Sequence, residues 1–74
     1  MNLKNTIDIR GIKPETAILK LAHKLNNIAN DEAVWLINEK ELQAIYNYLK
    51  EENFYFKTFR IEEDEVRTLI SKKE

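Results

Sequence analysis

A chain of 74 residues, 43% hydrophobic and 34% charged with a net charge of -1, has room for one small core and no second. Near-neutral charge disfavours a nucleic-acid binder held by a basic face, and no apolar run reaches membrane-spanning length. There is no cysteine, so disulfides and thiol chemistry are both absent from these residues, and the start from Met1 to Asn5 lacks the apolar core of a signal peptide. Cytoplasmic residence without a membrane partner is the expectation.

Thr6 to Arg10 alternates, with Ile7 and Ile9 on one side and Asp8 and Arg10 on the other, the period of a half-buried strand that Gly11 ends. Pro14 suits a first helical position, where its missing N–H is not needed. Ala17, Ile18, Leu21, Ala22, Leu25 and Ile28 then share one helical face, and Asn30-Asp31-Glu32 makes the following turn. The run Ala33 to Ile37 is too short for a helix and reads as a central strand.

Asn38 with Glu41 three residues later resembles a capping box opening a second helix, with Leu42, Ile45, Tyr46 and Leu49 inward and Tyr48 on the flank near Glu41 and Glu52. Phe54 to Ile61 reads as an aromatic-rich strand and Val66 to Ile70 as another, joined by a hairpin turn over Glu62 to Glu65; Ser71 to Glu74 should fray. The order βαβαββ predicts an α+β fold in one domain over residues 1–74: a two-layer sandwich, with a mixed four-stranded sheet and both helices on one face. Ile9, Ile18, Leu21, Leu25, Leu36, Ile45 and Leu49 are the expected core.

The segment Ile7 to Thr16 resembles the opening of the SirA/TusA-like sulfur-carrier family. In that family a short strand runs into Arg-Gly-Leu, one residue, then Cys-Pro-x-Pro at a helix start. Arg10-Gly11-Ile12-Lys13 keeps the first half, and the match runs without a gap from Arg10 to Glu32, where Asn30-Asp31-Glu32 stands for the family's Pro-Gly-Glu. The resemblance implies the same βαβαββ fold. It does not carry the activity, because Pro14 stands at the cysteine position, Glu15 and Ala17 at the two prolines and Asp31 at the glycine. A persulfide carrier needs a thiolate, for which a helix N-terminus is favourable, and proline has no such atom.

The corner itself, Arg10, Gly11, Lys13, Pro14 and Glu15, remains a candidate docking site for an anion or a partner's carboxylate, although Glu15 already places negative charge in the first turn. The plainer alternative is solvated charges beside a turn that needs Gly11. His23 reads as a surface histidine, since a zinc site could be completed only by carboxylates. The acidic run 62–65 lacks calcium-loop spacing, and Ser71 has no visible catalytic partners. No metal, cofactor or catalytic residue is expected.

The aromatics raise a different question. Phe54 and Phe56 fall on one side of their strand and Tyr55, Phe59 and Ile61 on the other, while Trp35 and Ile37 oppose Val34 and Leu36. Helices can cover only one side, so Trp35 with either Tyr55 and Phe59 or Phe54 and Phe56 should form an apolar patch for a second copy or another protein. A twisted or bulged strand covering a sheet edge is the alternative. Three function classes follow: a non-enzymatic protein- or ligand-binding module, regulatory or accessory; an accessory part of a sulfur-relay complex whose partner supplies the thiol; and single-stranded nucleic-acid binding, disfavoured by element order and charge. The first is the expectation.

Overall fold

The computed structural model describes residues 5–72. Its elements are β1 (Thr6–Asp8), α1 (Pro14–Asn26), β2 (Ala33–Asn38), α2 (Gln43–Glu51), β3 (Phe54–Glu62) and β4 (Glu65–Lys72). β1 and β2 are parallel, and β4 runs antiparallel to both β2 and β3, in the sheet order β1-β2-β4-β3. This is the expected mixed four-stranded sheet with two helices packed against it.

The helical layer is built by spacing. Ala17, Leu21 and Leu25 recur every fourth residue along α1, and Ile45 and Leu49 do the same on α2. All five are buried in one cluster with Ile9, just past β1, and Val34, Leu36 and Ile70 from the sheet. Pro14 occupies the start of α1, where its ring fits and no donor is lost, and the first helical bond runs from the Ala17 N–H to the Lys13 carbonyl at 2.9 Å. Glu15 in the first turn and Lys24 in the last complement the helix dipole. Ile18, expected in the core, is only half-buried, because it sits at the rim of the inward stripe.

The ends of β1 and β2 and the start of α2 differ from expectation. Asn38 does not cap α2. It is the last residue of β2, opposite Val66, and its Oδ1 accepts the Glu39 N–H at 2.8 Å. Leu42 is the N-cap and offers no side-chain bond, while Glu41 accepts the Tyr46 hydroxyl instead of reaching back to Asn38. β1 stops at Asp8, although the Ile9 N–H still donates to the Ile37 carbonyl at 2.9 Å before Gly11 turns the chain at φ 76°.

The hairpin turn is shorter than the acidic run suggested: Glu62 pairs with Glu65, leaving only Glu63 and Asp64 between the strands. β4 also outlasts the expected strand. Ser71 and Lys72, expected to fray, lie in the ladder opposite Tyr55 and Phe54, and the Lys72 ammonium donates to the Ile28 carbonyl at 2.7 Å. Met1 to Lys4, and Lys73 and Glu74 of the expected fraying end, fall outside the described residues.

Candidate interaction surface

Strand alternation assigns each side chain to a layer. Val34, Leu36, Val66, Thr68, Ile70, Phe54, Phe56 and Thr58 face the helices. Ala33, Trp35, Ile37, Arg67, Leu69, Tyr55, Lys57 and Phe59 face the other way. The register thus resolves the choice left open by the sequence: the open face carries Trp35 with the Tyr55 and Phe59 set.

Trp35 lies opposite Leu69 and Phe59 opposite Arg67, so the two rings meet diagonally over β4, with centroids 6.0 Å apart and planes tilted by 54°. That geometry falls in the favourable range for tilted aromatic pairs. The Lys57 ammonium stands 5.6 Å from the Phe59 ring centre. No helix covers this strip. Tyr55 is 60% and Phe59 39% exposed, and Ile61, beside the bulge between Arg60 and Glu62, is 53% exposed.

The same face is closed at its other end by charge. The Arg10 guanidinium donates to both Asp8 carboxylate oxygens, at 2.6 Å from Nη2 and 3.0 Å from Nε, and its Nη1 lies 3.7 Å from Glu65. Glu65 in turn accepts from Arg67 Nε at 2.7 Å. Arg10's side-chain and backbone hydrogen bonds hold the Asp8 carboxyl below its ordinary pKa. Ile37 lies in register between Asp8 and Arg67 and is only 8% exposed although no helix covers it. Its register neighbours thus set it within the charged row, and the stems of long charged side chains can cover apolar surface.

The Arg10 to Glu15 corner is brought together as a turn, and neighbouring carboxylates engage two of its donors. Arg10 is committed to Asp8, and the Gly11 N–H donates to Glu39 Oε1 at 2.8 Å. A Cβ built on Gly11 would meet nothing within 4 Å, so glycine is required by the positive φ alone. Lys13, Pro14 and Glu15 are exposed beside it. This corner lies at the opposite end of β2 from a hollow of about 380 Å³, whose lining includes Asn30, Asp31, Tyr55, Ser71 and Lys72. Lys72 and Glu32 in that hollow are engaged in pinning the turn after α1, through Ile28 and Ala29.

Sequence reasoning missed a half-buried hydroxyl chain on the covered face. The Tyr46 hydroxyl reaches Glu41 at 2.9 Å and Thr58 at 2.7 Å, and Thr58 reaches Thr68 at 2.9 Å, while the Tyr46 ring stacks on Phe56 at 5.2 Å. Burial raises the Tyr46 phenol pKa, and burial followed by the charge of Glu52 raises that of Tyr48. The single signal was Thr58 interrupting the aromatic alternation of β3, and its partner Thr68 becomes evident only once the hairpin register is fixed.

His23 is exposed, and among the described residues no group of three or more histidine or acidic side chains is arranged to hold a metal. Among the same residues no helix is long and apolar enough to cross a membrane. No protein-family model, no curated protein and no solved structure matches the chain.

Proposed function

We propose that this protein is a non-enzymatic binding module, regulatory or accessory, on a sulfur-carrier-like scaffold without the persulfide cysteine, and that it engages a protein partner through its open sheet face. The observation that carries this reading is the Trp35–Phe59 pair, flanked by exposed Tyr55 on a face that neither helix covers. Large amphipathic rings gathered on one face of a small domain are typical of buried interface centres. The Arg10 to Glu15 corner is the weaker candidate, because Asp8 already engages the Arg10 guanidinium and Glu39 the Gly11 N–H, and Glu15 adds negative charge to the first turn. Pro14 at the cysteine position leaves the chain without an atom to hold a persulfide.

Affinity capture from the source cell, comparing wild type with Trp35→Ser, tests the face directly. A partner retained by wild type and lost with Trp35→Ser is expected, together with a blue shift of the emission of Trp35, the sole tryptophan, on rebinding. Equal retention by both proteins with unchanged emission would refute a role for this face. A persulfide mass adduct after incubation with a cysteine desulfurase would overturn the non-enzymatic reading.

A further inference from the structure

β3 is nine residues long and pairs with β4 alone, whereas β1, at the opposite edge of the sheet, has three described strand residues. The outward N–H and C=O groups of such an edge are a template for another strand, and proteins commonly blunt them with proline, charge or a bulge. β3 contains no proline, and its one irregularity, between Arg60 and Glu62, leaves Phe54 to Arg60 regular. Lys57 and Arg60 are its only cations.

We propose that β3 pairs antiparallel with β3 of a second copy of this chain, about a two-fold axis through Thr58 perpendicular to the sheet, making one continuous eight-stranded sheet. This goes beyond the binding reading above, since it occupies the strand edge and leaves the open face free. Charge selects the register. An axis through Lys57 sets that ammonium against its own copy, and an axis through Arg60 does the same for the guanidinium, arrangements that directly opposed strands disfavour. An axis through Thr58 places Lys57 opposite Phe59 of the second copy and Arg60 opposite Phe56 of the second copy, so both cations face aromatic rings, and symmetry repeats each pair. Lys57 already reaches its own Phe59 ring at 5.6 Å. An axis through Phe59 runs into the bulge after Arg60, and one through Phe56 leaves Arg60 beyond the paired segment. The perpendicular axis keeps all helices on one side and joins the two Trp35–Phe59 strips into a single face.

Sedimentation equilibrium on the full chain tests the pairing. Wild type should be a dimer, and Phe59→Lys, which sets the introduced lysine against Lys57 of the second copy, should lose it at the same loading. Adding Lys57→Glu to Phe59→Lys should restore the dimer through two new ion pairs, a rescue that no other register provides. Trp35→Ser should remain dimeric, which separates this edge from the open face. A monomeric wild type, an unaffected Phe59→Lys, a double variant that stays monomeric while retaining native circular dichroism, or a dimer dissolved by Trp35→Ser would each overturn the proposal. Should the lysine variants fail to fold, Thr58→Cys gives a second reading. The chain has no other cysteine, and directly opposed strand residues lie within disulfide reach. A covalent dimer on mild oxidation is the expected result, and its absence refutes the axis.

Discussion

The two faces of the sheet are woven from the same strands and are apolar on both sides, yet they reach low exposure by different means. Under the helices Val34, Leu36 and Ile70 are almost fully removed from water by Leu21, Leu25, Ile45 and Leu49. On the open face Ile37, set within a row of charged side chains, is nearly as hidden, while Tyr55 and Phe59, both two strands further on in β3, stay accessible. Cover is therefore not a property of helices alone. Arginine and aspartate can lid one residue, and where their row ends the aromatic strip begins.

Adjacent residues of β2 offer the strongest test of this contrast. Leu36→Ala should cost about 2–5 kcal/mol in denaturant unfolding, a large share of the stability of so small a domain. Trp35→Ser, one residue away on the other face, should cost about 1 kcal/mol, mostly the lost ring pair. Equal losses would mean that the open face is core in its own right.

The covered face also holds the hydroxyl chain, and Tyr46→Phe should cost about 1 kcal/mol by removing its hydrogen bonds to Glu41 and Thr58. Because burial raises the Tyr46 pKa, folding favours the neutral phenol. Its stabilising contribution is complete below the ordinary tyrosine value of about 10 and is lost as pH rises through the raised one. Alkaline titration of stability should accordingly be shallower for Tyr46→Phe than for wild type, with Tyr48 accounting for part of the remaining slope.

The smallest effect should come from the charged row. Asp8→Asn removes an exposed pair worth about 0–1 kcal/mol, and the difference from wild type should shrink in high salt. The sign follows from the lowered Asp8 pKa. The pair stabilises above the ordinary carboxylate range and its contribution is lost as pH falls through the lowered value, so wild type and Asp8→Asn should converge in acid. If hydrogen exchange at Ile37 is unchanged in Asp8→Asn, the charged row is not what shelters that residue.

α1 was legible because its signals are local. Pro14 marks the start, and Ala17, Leu21 and Leu25 repeat at the helical period. The four-stranded α+β layout was legible for the same reason, as a count of alternating segments. What could not be read depends on register. Asn38 carries a capping signal that is genuine for an isolated segment and loses to its ladder partner Val66. Phe54 and Tyr55 are equally apolar in sequence, and only the pairing of β3 with β4 decides which faces the helices. Arg10 meets Glu65 across more than fifty positions of chain, a distance over which no local pattern speaks.

The strand order has a consequence for how this chain is made. β4, the last strand to be synthesised, lies between β2 and β3, which cannot bond to each other across a gap of about 10 Å, two strand spacings. Until Glu65 to Lys72 leave the ribosome, the earlier elements share no continuous sheet: a parallel pair carrying α1, and a lone aromatic strand after α2, joined only through the packing of the two helices. Cooperative folding must then wait for the final residues of β4, and the hydrophobic side of β3 has no partner strand beside it until they follow.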